Sequence, residues 1–398
     1  MFTNERGTSF AYENAMSIKE ALGLGSDRKV RYAVVGLGDI SQGAFLPGVH
    51  HTGNSEVTAL VTSDPEKARK VGERYSVAAT YDYDQFDSLL KSGTIDAIYL
   101  ATPNWRHAEF AVPALRAGIH VLAEKPLEIS VAKSEEIIAA QKTSHAKLMV
   151  AYRLHFEPST LSLIKRIRAG ELGETVMFTS TFSQAVDPKN HRASNGDWAG
   201  PVFDMGPYPI NASRYVFEAE PEAVVSAIGT RHPASGLGDF DDTVAVTLRF
   251  PGGKLAQFVV SYYASAENSF LVVGTKGSVL MRPAFTYGLS LEQSVTTGKK
   301  TSHEKFKCTD QFGGELHYFS ECILQGTEPE PDGEEGAADL RVIEGIMKAL
   351  REGGRVELPA FERTKRIDPE KQARTLSFVD SPEKVNASKP AKDRTDQV

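Results

Sequence analysis

From residue 30 to about 126, short unbroken apolar runs alternate with longer segments whose apolar residues return every three or four positions. The runs at 31–35, 56–61, 97–101 and 119–123 have strand length and no polar alternation, the pattern of a parallel sheet covered on both faces. Helical spacing falls between them at 43–51, 65–74, 84–91 and 105–117, and a helix at 130–142 leads to another strand at 147–151. This repetition predicts a doubly wound α/β sheet.

After a helix at 158–169 the period changes. Residues 175–182 and 243–250 alternate apolar and polar side chains, as a strand with one wet face does. Pro251-Gly252-Gly253-Lys254 then predicts a hairpin into 255–263, with further strands at 270–273 and 278–281. The second half is therefore expected to be α+β, built on a large antiparallel sheet with one face, bearing Tyr262 and Tyr263, open to a partner subunit. Helices at 315–325 and 336–352, the latter with Leu340, Ile343, Met347 and Leu350 on one stripe, are expected to pack back onto the body. The expected organisation is an arm (1–28), a doubly wound domain (29–152), an α+β domain (153–365) and a polar tail (366–398) whose last 20 residues are expected to be disordered.

Composition narrows the partners. A chain of 398 residues has room for two cores, and 41% hydrophobic with 24% charged residues is an ordinary globular balance. With 45 basic and 52 acidic side chains the net charge is -7, which offers no field for nucleic acid or an anionic membrane. No apolar run is long enough to span a bilayer, and the N-terminus has no signal-peptide core. A cytoplasmic home is expected, or a periplasmic one if an export signal has been removed. Cys308 and Cys322 are the only cysteines, and no His/Asp/Glu spacing suggests a metal, so neither a disulfide framework nor a metal site is expected.

The chemistry begins after the first strand, at Gly36-Leu37-Gly38-Asp39-Ile40-Ser41. A strand before it and a helix after it make this G-x-G-x-x-[small] a candidate dinucleotide loop, with glycines admitting a pyrophosphate to a helix N-terminus. At the second strand's end an acidic residue would grip the ribose of NAD. Here Thr62 and Ser63 are followed by Asp64, placed to cap a helix that starts at Pro65, and by Lys67. Hydroxyls and a lysine suit a 2′-phosphate, which favours NADP over NAD.

Two further strand ends converge on the same crevice. One carries Thr102, Pro103, Asn104 and His107; the other carries Glu124, Lys125 and Pro126. A Lys125–Pro126 bond in cis is expected to fix the direction of the lysine. Glu124 is expected either to meet a cofactor hydroxyl or to cap its strand, and His107 to contact the cofactor rather than act as a base.

The ordered set G-x-G-x-x-[small], T-P-N-x-x-H, A-G-x-H-V-x-x-E-K-P and D-x-G-x-Y resembles the Gfo/Idh/MocA oxidoreductases over about residues 29–355. Phe203-Asp204-Met205-Gly206-Pro207-Tyr208 and Ala151-Tyr152-Arg153-Leu154-His155 are most similar to the glucose-fructose oxidoreductase branch. The resemblance implies a Rossmann domain, an N-terminal arm over the adenine of a tightly held NADP, and oxidation of an aldose at C1 to its lactone, with return of hydride to a second sugar. It places Lys125, Asp204 and Tyr208 at the chemistry, and it implies a homodimer or homotetramer through the open sheet face.

The residues are consistent with that assignment. A tyrosine of ordinary pKa about 10 needs a nearby cation to exchange protons near neutrality, and Lys125 is the expected one. Asp204 is expected to orient the sugar or Lys125, or to cap a helix starting at Gly206-Pro207. Arg153 is expected in the sugar pocket, against the cofactor, or as structural support. His155 is expected among the sugar contacts, and Trp198 either stacks on a pyranose or anchors the core. Three other functions remain compatible: a reductase or dehydrogenase of a keto- or anhydro-sugar with exchangeable cofactor, a nicotinamide-dependent glycoside hydrolase, and a non-catalytic sensor.

Overall fold

The computed structural model describes residues 28–387 except 194, 195 and 197. The expected N-terminal arm and the last residues of the expected tail lie outside the described residues. Strands β1 (Val30–Val35), β2 (Ser55–Val61), β3 (Ala79–Tyr81), β4 (Ala97–Leu100), β5 (His120–Ala123) and β6 (Leu148–Val150) form one sheet in the order β3-β2-β1-β4-β5-β6. Every pairing in it is parallel. Helices α1 (Leu46–Thr52), α2 (Pro65–Tyr75), α3 (Phe86–Leu90), α4 (His107–Arg116) and α5 (Val131–Lys142) make the crossovers. Strand order reverses between β1 and β4, so their carboxyl ends open the crevice where such sheets bind ligands. The three-residue edge strand β3 is the one element of this sheet that hydrophobic periodicity misses.

The second sheet runs β14-β13-β12-β11-β7-β10-β9-β8-β15. After α6 (Pro158–Arg168), it comprises β7 (Thr175–Ser183), β8 (Ala223–Thr230), β9 (Thr243–Arg249), β10 (Leu255–Ser261), β11 (Glu267–Gly274), β12 (Gly277–Met281), β13 (Glu292–Thr297), β14 (Lys300–Lys305) and β15 (Val356–Glu357). Its ladders are antiparallel except β7 with β10, which run parallel side by side. Tyr262 does not sit on the open face: it is 1% exposed, and only Tyr263 is exposed.

Four helices pack on the two sheets. Helices α7 (Pro201–Asp204) and α8 (Pro207–Phe217) sit behind the crevice, and α10 (Gly333–Glu352) packs beside α5 and α8. Helix α9 (Gln311–Gln325) covers one face of the nucleotide sheet, where Leu316, Phe319 and Cys322 share a core with Tyr32, Val34 and Leu122. Polar atoms match across that contact, with Ser320 Oγ 2.8 Å from the Tyr32 hydroxyl.

The tail departs from expectation. Residues 366–387 pack on the body: Ile367 and Gln372 are buried, α11 (Pro369–Gln372) is one turn, and Val385 joins the core under α1. Charge content hid this, because the segment is held by backbone and ion-pair contacts rather than by an apolar stripe.

A buried ionic cluster fixes α8. Arg214, with a side chain 3% exposed, donates to Glu220, Glu335 and Asp339 at 2.6–2.7 Å, and Arg363 reaches Glu335 at 2.8 Å. The two arginines hold the Glu335 carboxyl well below its usual range despite burial, whereas burial pushes Asp339 up to about 7. Removing one partner strands buried charges, so Arg214→Leu is expected to cost about 3–5 kcal/mol of unfolding free energy. Urea denaturation followed by fluorescence measures it; a loss below about 1 kcal/mol would show that the carboxylates left behind are not stranded.

Candidate active site

The glycine loop is shaped by close approach. Gly36 has φ +95°, and a Cβ there would lie 2.7 Å from the Ala101 carbonyl oxygen, so no other residue fits. A Cβ on Gly38 would meet nothing within 4 Å: the backbone faces open space from which a phosphate can approach. Ser41, standing where a third glycine is usual, donates to the Gly36 carbonyl at 2.6 Å and closes the turn. Leu37 is buried beneath the loop, and Asp39 and Ile40 begin the helical path into α1. Across the crevice, Thr102 Oγ1 is buried with no hydrogen-bond partner among the described residues, a polar atom left for a bound group. These features fit a dinucleotide.

At the end of β2, Asp64 caps α2, accepting from the amides of Glu66 at 2.9 Å and Lys67 at 3.1 Å through Oδ1. Its Oδ2 accepts from Asn386 at 3.0 Å. Both oxygens are therefore committed within the protein, while Ser63 is exposed and Lys67 half-buried.

Lys125 and Tyr208 converge. The Lys125–Pro126 bond is cis, as expected, and Lys125 Nζ lies 4.8 Å from the centre of the Tyr208 ring. The ammonium donates to the Asp204 carbonyl at 2.8 Å and sits 3.6 Å from its carboxylate. The cation on the phenol oxygen is a different one: Arg153 Nη2 donates to Tyr208 Oη at 3.1 Å. Arg153 is 6% exposed and pinned by Gln311 and the Phe285 carbonyl. Phe182 and Phe285 wall the tyrosine ring.

Asp204 is a hub rather than a cap. Its carboxylate accepts from the Tyr262 hydroxyl at 2.9 Å and pairs with Arg192 at 3.3 Å. Burial, and next the Asp204 charge, hold the Tyr262 phenol well above its usual range, so it stays a donor. Arg192, Tyr262 and Gln311 are site neighbours that sequence reading missed. Arg192 lies in an irregular stretch after Pro188, Gln311 stands four residues before the expected start of its helix, and Tyr262 faces inward rather than onto the open face.

Other expected residues sit further back. His107 is 1% exposed, and its two ring nitrogens lie 3.0 Å from the Thr102 and Leu127 carbonyls, so it braces the loops carrying Thr102 and Lys125. Pro103 precedes a short turn at Asn104–Arg106, where Asn104 accepts from the Trp105 amide at 3.1 Å. Glu124 accepts from the Tyr99 hydroxyl at 2.6 Å, and burial raises its pKa. His155 gives its nitrogens to Asn211 at 2.7 Å and Glu330 at 3.2 Å, which leaves neither for a sugar hydroxyl. Burial beside the Arg214 cluster makes His155 a brace rather than the sugar contact expected of it. Trp198 packs against Trp105 at 5.3 Å between ring centres and is half-buried against the core.

Comparisons with known proteins agree with this architecture. Residues 30–152 match the model of the oxidoreductase family with an NAD-binding Rossmann fold, and residues 160–280 match the GFO/IDH/MocA C-terminal domain. A D-xylose 1-dehydrogenase [NADP(+)] from Haloarcula marismortui is 31% identical over 84% of this chain and 94% of its own length. Among solved structures, the aldose-aldose oxidoreductase from Caulobacter crescentus complexed with glycerol superposes with a TM-score of 0.78 at 35% identity, covering 83% of this chain and all of that one. A 3-ketoreductase from Actinomadura kijaniata in complex with TDP-benzene and NADP gives 0.71 at 25% identity over 82% of this chain and 98% of its own. With both halves of the chain matched and relatives at 31% and 35% identity covering more than four-fifths of it, the chain belongs to the Gfo/Idh/MocA family of oxidoreductases.

Proposed function

We propose that this enzyme is an NADP-dependent sugar oxidoreductase that oxidises an aldose at C1 to its lactone. The observation that carries the reading is the Tyr208 hydroxyl held 3.1 Å from Arg153 while Lys125 stands 4.8 Å from the same ring. NADP supplies the hydride acceptor when bound. Tyr208 exchanges the proton of the reacting sugar oxygen, and negative charge on the phenol oxygen meets a fixed guanidinium. Lys125, aimed by Asp204, donates to the reacting oxygen, and Arg192 and Trp198 lie nearby to hold the rest of the ring.

The choice of NADP over NAD is supported by Asp64. An acidic residue at this position selects NAD by accepting from the ribose hydroxyls, and here both oxygens are already committed. The relatives support the substrate class, since one is named for D-xylose and another for aldoses. Return of hydride to a second sugar belongs to the same proposal. So does a homo-oligomer joined through the open sheet face, where Met177, Ile228, Leu255, Val259 and Leu280 are exposed. Light scattering on the purified protein is expected to give a multiple of 43.4 kDa, and a monomer would remove that interface.

Two measurements test the chemistry. Tyr208→Phe is expected to lower kcat with an aldose by about 10²–10⁴-fold, the usual share of positioned proton transfer, while NADP binding is unchanged. Wild-type turnover in that variant would remove Tyr208 from the proton path. Gly38→Val places a side chain where the phosphate must approach and is expected to abolish nucleotide binding without unfolding the protein; retained binding measured by calorimetry would overturn the placement of the pyrophosphate.

A further inference from the structure

The family models end at residue 280, yet the chain returns to the glycine loop a hundred residues later. Segment 381–386 crosses from the α1 side of the crevice to the end of β2. The Gln42 side chain, 1% exposed, pairs with Val385 like a strand neighbour: its amide donates to the Val385 carbonyl at 2.9 Å, and its oxygen accepts from the Val385 amide at 2.8 Å. Ser381 donates to the Gly43 carbonyl. A Cβ on Gly43 would fall 2.5 Å from Lys384 Cε, so that glycine makes room for the lysine. Lys384 Nζ reaches the Asp39 carboxylate at 2.6 Å, with both side chains 13% exposed. Asn386 then donates to Asp64 at 3.0 Å and Glu66 at 2.9 Å.

Both loops bridged in this way are the loops that receive the adenosine half of a dinucleotide. Asp39 follows Gly38 at the phosphate approach, where a carboxylate repels the ligand it flanks. We propose that segment 381–386 is a working part of the NADP site, in which Lys384 neutralises Asp39 and Asn386 keeps Asp64 turned away from the ribose. The inference rests on the reading of the crevice as an NADP site. Its chemical content is a cation delivered from outside the Rossmann domain that makes a loop bearing an aspartate acceptable to a 2′-phosphorylated adenine dinucleotide.

Direct titration of the full chain, freed of nucleotide, with NADP and with NAD tests it. The wild type is expected to bind NADP more tightly than NAD; failure of that control would sink the cofactor reading rather than this one. Lys384→Met is expected to weaken NADP about tenfold or more, Lys384→Arg to stay within about twofold of wild type, and Asp39→Asn combined with Lys384→Met to recover most of the loss. NADP affinity unchanged in Lys384→Met, with the wild-type control intact, overturns the proposal, as does an equal loss in Lys384→Arg or no recovery in the double variant. The far-ultraviolet spectrum and melting temperature of each variant separate lost folding from lost binding.

Discussion

The site depends on a buried arginine that never touches it. Helix α8 carries Tyr208 in its first turn and presents Asn211 and Arg214 on successive turns of the same side, and the latter two are tied to Glu335 of α10 at 2.6 and 2.7 Å. The same cluster reaches the nucleotide domain, because Asp339 accepts from the Tyr152 hydroxyl at 2.7 Å, one residue before Arg153. The phenol and the guanidinium that meets it are thus held from behind by one set of charges. A buried cluster of this kind adds little net stability compared with apolar packing, but it tolerates few alternative arrangements. Such rigidity suits a site whose groups must be placed before the substrate arrives.

Two cations share the phenol, and their surroundings differ. Arg153 is locked by Gln311 and the Phe285 carbonyl, and a guanidinium is charged at every working pH. Lys125 hangs from a strand end, directed by Asp204, which in turn answers to Tyr262 and Arg192. One cation is fixed on the phenol oxygen, while the other is an ammonium over the ring, held by Asp204. In the proposed chemistry Arg153 would stabilise charge on Tyr208, and Lys125 would serve the sugar oxygen.

Hydrophobic period revealed the nucleotide sheet because its strands are buried on both faces and need no partner information to be recognised. The same signal fails at β14, where Lys300–Lys305 is exposed along its whole length and exists only because β13 offers it a ladder. Strand β8 is missed for a related reason, as its outer half is half-exposed and paired across a register shift. In the site, Lys125 and Tyr208 were legible from ordered short motifs, but Arg153 as the phenol's contact was not. The pairing depends on how α8 lies against the strand end of β6, which is a tertiary fact. His155 illustrates the converse: a polar residue at a promising strand end proved to be a brace once Glu330 and Asn211 closed on it.

The tail carries the same lesson into cofactor choice. Asp64 reads as a helix cap in sequence and is one in the structure, yet a cap leaves one carboxylate oxygen that a ribose could still claim. It is Asn386, more than 300 residues away, that occupies that second oxygen. The short-range rule explains why Asp64 stands at the end of β2, and the long-range contact explains why its second oxygen already has a partner. If segment 381–386 works in the NADP site as proposed, cofactor preference on this fold is not a property of the β2 end alone. It belongs to that loop together with whatever segment the chain lays over it, and a chain with the same β2 loop but a different C-terminal path would present a different ribose site.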